Sequence, residues 1–172
     1  MLQEDYLPTT QDKVNIWYGA NGSETEERLY PEAASQTFKR GDLVYLVSGL
    51  VTAAATAGVG NNVASGTKVL GIALKDASGA TNTAVPVAIA NPNLRWVLPV
   101  THATPASGVT AVTEVGTTYE LERSAAGKWA VPIDDTTNTK VVVTAIHPQY
   151  ALGEQYGWVE VRFLDAQVDV AQ

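Results

Sequence analysis

Two short apolar runs constrain this chain most: Leu43–Val47 and residues 69–74, Val-Leu-Gly-Ile-Ala-Leu. Each is five or six residues long, too short for a core helix and bounded by punctuation. Gly41-Asp42 precedes the first and Gly71 interrupts the second. A chain that alternates such runs with turns buries them only by pairing strands, so the expectation is a β-domain.

The rest of the chain repeats the pattern. Residues 84–90 and 94–100 read as strands, separated by Asn91-Pro92-Asn93. Pro86 lacks a backbone donor and is expected at an edge or a bulge. Thr118 to Glu122 and residues 128–131 flank Ser124-Ala-Ala-Gly127, a hairpin signal. Residues 140–147 are β-branched and apolar. Residues 156–164 alternate, with Val159, Val161 and Phe163 on one face and Trp158, Glu160 and Arg162 on a face expected to be wet. No segment carries a helical stripe. The predicted fold class is all-β, a small barrel or sandwich of about seven or eight short strands with an extended N-terminal arm.

The predicted division is an arm over 1–36, a β-domain over 37–165 and a short polar tail over 166–172. The arm is acidic and holds its apolar groups singly or as aromatics: Tyr6, Ile16, Trp17, Tyr18 and Tyr30. Fully extended it reaches on the order of 120 Å. Ordering it costs roughly 1–2 kcal/mol per residue in backbone entropy, which buried aromatics are suited to offset. A short helix beginning at Ser23, with Glu26 three residues on, is a weaker alternative for part of it.

Charge narrows the partners. The formal net charge is −7, and the 11 basic residues are scattered, with Lys39-Arg40 their one adjacent pair. A phosphate-binding surface needs clustered Lys and Arg, so nucleic acid is not an expected partner. No apolar run approaches the ~20 residues of a membrane span, and Met1 to Tyr6 lacks the pattern of a secretory leader, so no membrane partner is expected. The chain has no cysteine, which removes disulfides and thiolate chemistry.

Candidate chemistry is sparse. His102 and His147 lie far apart, neither with a neighbour at metal-ligand spacing, and both read as structural. Asp134-Asp135 opens Asp-Asp-Thr-Thr-Asn, which is turn chemistry, and no Asp-x-Asp-x-Asp-Gly calcium loop exists. Gly58-Val-Gly60 is half of a dinucleotide fingerprint with no helix after it. The expectation is therefore a chain that is not an enzyme, with no catalytic, cofactor-binding or metal residues and no cofactor. The aromatics carry more weight. Trp17, Tyr18, Trp96, Trp129, Tyr156 and Trp158 suit a sugar-binding platform, or core and interface packing, the preferred reading. Tyr6, Trp17, Tyr18, Tyr30 and Trp158 are the candidate protein–protein interface.

Residues 38–100 resemble the capsid decoration, or cement, proteins of tailed bacteriophages. The resemblance rests on Phe38 before Gly41-Asp42-Leu43-Val44, the small-residue loop, Val69-Leu-Gly71-Ile-Ala-Leu74, Asp76-Ala-Ser-Gly79 and Val85-Pro-Val87. A weaker match continues to Val159-Glu-Val-Arg-Phe163. These are strand-and-turn patterns, not catalytic signatures. The resemblance implies a structural protein of the virion, on the outer surface of the capsid. It further implies that the chain binds the major capsid protein and its own copies, as a homotrimer or a dimer. The long acidic arm and the extra hairpin at Ser124 to Gly127 depart from the smaller members and leave dimer and trimer both open. Two other readings stand beside it: a receptor- or carbohydrate-binding β-module of a tail spike or fibre, and a hydrolase built on a pocket joining His147 to a carboxylate.

Overall fold

The structure is a computed structural model that describes residues 15–17, 26–54, 61–123 and 128–169. Its strands are β1 (Asn15–Trp17), β2 (Glu27–Pro31), β3 (Leu43–Val47), β4 (Leu50–Ala53), β5 (Asn61–Asn62), β6 (Gly71–Ala73) and β7 (Ala84–Ile89). They continue with β8 (Arg95–Thr101), β9 (Thr118–Tyr119), β10 (Glu122–Arg123), β11 (Trp129–Pro132), β12 (Val141–Ile146) and β13 (Trp158–Phe163). Helical structure among the described residues is confined to short 3-10 turns at 105–107, 112–114 and 165–167. The chain is all-β, with more and shorter strands than the sequence pattern separates.

The smaller sheet runs in the order β2-β7-β6-β3-β4. β3 and β4 form a two-residue hairpin through Ser48 and Gly49, both at positive φ (51° and 81°). That backbone twists with the strands, as a type I′ turn does. Its two edge strands then meet: Glu32 forms a parallel bridge with Val51, and Ala33 N–H donates to the Val51 carbonyl at 3.0 Å. The closed face buries Phe38, Val44, Val51, Leu70, Ala73, Val85 and Val87. The alternate residues of the same strands, Leu43, Ile72 and Ala88, point the other way into a second core. The sheet is therefore apolar on both faces, with period two deciding which core each residue enters.

The larger sheet runs in the order β5-β10-β11-β8-β13-β12-β9, with β1 added to β8. Only Glu120 and Leu121 separate β9 from β10 along the chain, yet β9 pairs β12 while β10 pairs β11. The sheet must curl round to bring those distant strands within two residues of each other. Inside the curl lie Leu94, Trp96, Leu98, Leu121, Trp129, Val141, Val161 and Phe163. Trp96 meets Phe163 edge to face, with centroids 5.4 Å apart at 82°, a geometry worth about 0.5–1.5 kcal/mol beyond its buried area.

Three local features differ from the sequence reading. Residues 27–32, placed in the arm by composition, form β2 and a buried anchor. Glu32 is fully buried, and its carboxylate accepts from Ser78 N–H (3.0 Å), Ser78 Oγ (2.8 Å) and Gly79 N–H (2.6 Å). Pro86 lies on β7, between β2 and β6, not at an edge. It is accommodated because its rung falls just past the end of β6, where Leu74 N–H donates to the Pro86 carbonyl and the missing donor leaves no ladder bond unmade within β6. Residues 166–169 are also built in: Val168 is buried and bridges Val69. The start of the helix suggested at Ser23, the first part of the Gly58 to Gly66 loop and the Ser124 to Gly127 turn lie outside the described residues; where that helix would continue, Glu27–Pro31 is strand, and Asn61–Asn62 of the loop form β5.

Two substitutions probe this architecture. A Cβ at Gly71 would overlap the Ala88 carbonyl oxygen of the paired strand. Gly71→Ala is expected to destabilise the fold by about 2–3 kcal/mol or more, read from the midpoint of chemical denaturation. Asp42 binds Arg123 inside the protein at 2.8 Å. Asp42→Ala leaves that cation buried and unpaired, and is expected to cost about 3–5 kcal/mol; a shift of under 1 kcal/mol would overturn the role given to the pair.

Candidate functional site

The aromatics named from sequence separate by burial. Trp96 and Trp129 are core residues at 0% and 2% exposure, so neither belongs to a surface platform. Trp129 Nε1 donates to Asp42 at 3.3 Å. Tyr30, on β2, is half-buried against the smaller core. Trp158 opens β13 and stacks on Tyr150, with centroids 6.3 Å apart and planes 12° apart. Trp17 ends β1 opposite Arg95; its side chain, with Tyr6 and Tyr18, lies outside the described residues. The structure thus places Trp158 among aromatics of its own loop, and Tyr30 on the other sheet.

The face of β13 expected to be wet is largely covered. Glu160 is 6% exposed and pairs with Arg95 at 3.0 Å. Tyr150 covers one side of Trp158. Alternation read the period correctly, but it carries no information on what covers the second face: Tyr150 of the loop 147–157 over Trp158, and Arg95 of β8 at Glu160.

A polar cleft of about 700 Å³ is lined by Asn62, His102, Glu122, Pro132, Asp134, Asp135 and Thr137. A pocket joining a histidine to carboxylates does exist, and the histidine is His102. His147 instead ends β12, buried, its ring edge-on to Tyr150 at 5.9 Å. In the cleft, His102 Nδ1 accepts the Thr104 N–H at 2.8 Å and lies 3.6 Å from Asp134 Oδ2. In the neutral ring, that bond leaves the proton on Nε2. Asp134 is itself engaged, accepting from Ala103 N–H at 2.9 Å. Asp135 Oδ1 accepts from Thr137 N–H (2.8 Å) and Oγ1 (2.6 Å), an Asx turn as the residue types imply.

The buried carboxylate behind this cleft has no signal in the sequence. Glu120 sits at the seam between β9 and β10, 1% exposed. Its Oε2 accepts from Asn62 Nδ2 at 2.8 Å. Burial first, and the carboxylate of Asp135 second, push its pKa up to about 7. Asp135 moves the other way, held down chiefly by the Thr137 hydroxyl and amide. The two carboxyl groups hydrogen-bond to each other, so Glu120 is the member that carries the proton. Nearby Lys140 is buried at 1% exposure and donates to the carbonyls of Thr67 (2.9 Å) and Ala64 (3.4 Å) and to Gln167 Oε1 (3.0 Å). Burial lowers its pKa, partly countered by Glu120.

Chemically, these groups fasten turns. His102, Asp134, Asp135 and Thr137 are committed to backbone or side-chain partners, whereas Asn62 donates to Glu120 but its buried Oδ1 has no hydrogen-bond partner. Among the described residues, no group of three or more His, Asp or Glu is arranged to hold a metal ion, and no helix is long and apolar enough to cross a membrane.

The Glu120 pair makes stability depend on pH in a defined direction. The folded chain keeps the Glu120 proton at pH values where an ordinary glutamate, near 4.5, has released it. Folding therefore takes up a proton between about pH 4.5 and 7. This contribution is fully present below that window and is lost as pH rises through 7. Glu120→Gln mimics the protonated form. Relative to wild type, the variant is expected to gain stability from pH 5 to pH 8, by roughly 3 kcal/mol at most, at about 1.4 kcal/mol per pKa unit. Parallel stability–pH curves for the two proteins would contradict the assignment. Comparison of the chain with known protein families and with curated proteins returns no match.

Proposed function

We propose that this chain is a non-enzymatic adhesion protein, a capsid decoration protein that binds the outer surface of a phage head and stabilises the lattice of its major capsid protein. The observation that carries the reading is the coherence of the resembling stretch. Phe38, Val44, Leu70, Ala73, Val85 and Val87, all within it, share one core inside the closed five-stranded sheet. Apart from the weaker match at Val159 to Phe163 in the larger sheet, the motifs behind the resemblance therefore meet in one folding unit. A net charge of −7 suits a protein that meets a protein shell and not the packaged nucleic acid. Modest affinity per contact suffices if an oligomer engages several shell subunits at once.

The N-terminal segment serves this reading in a particular way. β1 lies along the part of β8 (Arg95–Val97) that β11 leaves unpaired, and β2 pairs with β7. A truncation through residue 36 removes β2 and the Glu32 anchor, so it tests folding as much as adhesion. Removing residues 1–14, which hold Tyr6, spares both strands.

A second reading, a carbohydrate-binding module of a tail spike or fibre, draws on one specific observation. Tyr150 and Trp158 are stacked, and Tyr156 between them in sequence is 46% exposed. Sugars seated there are expected to quench tryptophan fluorescence saturably.

The discriminating experiment mixes the full chain with undecorated, expanded phage heads and images where density is added. Decoration predicts regular added density on the outer surface, heads that withstand higher temperature, and no saturable quenching by oligosaccharides. Failure to bind any head, together with saturable quenching, would transfer the assignment to the second reading.

A further inference from the structure

Lys140 is 1% exposed, and a lysine is almost never buried so completely without a charged partner. Its three donors go instead to neutral oxygens: the Thr67 carbonyl (2.9 Å), Gln167 Oε1 (3.0 Å) and the Ala64 carbonyl (3.4 Å). A cation held this way is costly to desolvate. Fastening a turn does not require one, because a neutral amide side chain supplies donors without that cost. Turn chemistry alone therefore does not account for a lysine at this position.

Burial favours the neutral amine, and it lowers the Lys140 pKa. A neutral amine keeps two N–H donors and gains a lone pair. With the two backbone carbonyls retaining the two donors, the lone pair takes the third direction, which faces the Gln167 carboxamide. A desolvated lysine amine aimed at an acyl group is a nucleophile. The acyl carbon, Cδ, lies one C=O bond, about 1.23 Å, behind Oε1. A turn about the broad terminal torsion of the glutamine presents it to the amine.

Backbone bonds hold the two residues together. Lys140 N–H donates to the Tyr119 carbonyl (2.8 Å), and Leu164 N–H donates to the Lys140 carbonyl (2.9 Å). Gln167 N–H donates to the Leu164 carbonyl (2.9 Å), and Val69 N–H donates to the Gln167 carbonyl (2.8 Å). Fixed proximity of this kind makes an aminolysis intramolecular, where effective molarities for well-oriented groups reach roughly 10⁵ M or more. A proton carrier stands beside the pair. Glu120 follows Tyr119 in the chain, is 1% exposed, and acts electrostatically on Lys140. A carboxyl that keeps its proton close to neutrality is suited to handing it to a departing nitrogen.

We infer that Lys140 and Gln167 join in an intramolecular isopeptide bond, formed by attack of Nζ on Cδ with loss of ammonia. The new bond is Nζ–Cδ and the bond that breaks is Cδ–Nε2. Glu120 gives its proton to Nε2, which leaves as ammonia with the electron pair of the broken bond, and takes one proton from Nζ in exchange. No oxidant, reductant or cofactor enters the balance. The product is a neutral secondary amide, so the buried cation disappears. The cross-link ties the residue before β12 to the 3-10 turn at 165–167 and closes residues 140–167 into a ring that includes β12 and β13. The chain has no cysteine, and this bond supplies by other chemistry the loop closure that a disulfide gives. Asn62 carries the other carboxamide near Glu120, but it donates to Glu120 (2.8 Å) and not to Lys140.

The test is the intact mass of the full chain after prolonged incubation in the folded state near neutral pH, followed by peptide mapping. Wild type is expected to weigh less than its sequence by one ammonia, with the Lys140 and Gln167 peptides recovered as one branched product. Lys140→Arg keeps a buried cation without a nucleophilic amine, and Gln167→Met removes the acyl group. Both are expected to show their full sequence mass and a lower thermal midpoint than wild type. Glu120→Gln is expected to slow the loss of ammonia at least about tenfold while leaving the fold intact, a change that a purely structural carboxyl would not produce. Three results would each overturn the inference: a wild-type chain that stays at full mass, a loss of ammonia that survives in Lys140→Arg and so comes from another amide, or a branch that maps to a residue other than Gln167. No phage heads enter the experiment, so its outcome and that of the decoration reading are independent.

Discussion

One buried carboxylate fixes how the two sheets sit on each other. Asp42, 2% exposed, accepts from the Lys39 N–H (2.6 Å), from Arg123 of β10 (2.8 Å) and from Trp129 of β11 (3.3 Å). Its own backbone is fixed beside β6, where Ala73 N–H donates to the Asp42 carbonyl and Gly41 N–H donates to Ala73. Gly41, at φ 89°, supplies the left-handed turn that aims the side chain across the interface. Apolar packing between the sheets is non-directional and leaves their relative slide poorly defined. A charge with three donors accepts one arrangement. Desolvating such a pair is costly, so its contribution lies more in choosing the geometry than in net stability.

Buried polar anchors recur wherever the fold turns a corner. Glu32 closes the smaller sheet by capping the 78–79 turn, Lys140 ties residues 64–67 to Gln167, and Glu120 sits where the larger sheet curls onto itself. Each organises backbone groups that no strand ladder reaches. The helix-poor design explains the need: with short strands and many turns, a large share of amides falls outside the ladders and is satisfied by side chains instead.

This also explains what was legible in the sequence. The span Leu43–Val47 is readable from its apolar run and matches β3 to the residue, its first two side chains buried in the two opposite cores. β4 is not, since Thr52 and Ala53 merge with the small-residue stretch and its hairpin turn is the weak signal Ser48-Gly49. β2 is hidden by its own exposure: Glu27, Arg28 and Leu29 face solvent and read as arm, while its hold on the fold comes from backbone pairing and from Glu32. The cleft was illegible for a different reason. Asn62, His102, Glu122 and Asp134 are far apart in sequence, and the curl of the sheet gathers them. Pattern reading follows local period and punctuation; it carries no register for long-range polar pairs such as Asp42 with Arg123.

The treatment of the strand edges bears on how such a protein meets a partner. A free strand edge is an adhesive that binds any other edge. Here the edges of the smaller sheet meet through Glu32 and Val51 and β1 occupies the open part of β8, while the two-residue strands β5 and β9 are the ends of the larger sheet. Edges that are short or already occupied offer little to strand addition among the described elements. What remains for recognition is side chains held on loops. Such contacts are selective only if the loops are rigid, because a mobile loop gives back its contact energy as ordering entropy. The 105–117 and 147–157 loops meet that condition, stitched together where Tyr156 N–H donates to the Gly108 carbonyl (2.8 Å) and Gly153 N–H to the Thr110 carbonyl (2.7 Å). The same backbone bonds that force Tyr156 into a strained conformation, at φ 55°, also present it in one orientation, so strain and selectivity at this end of the molecule have a common cause.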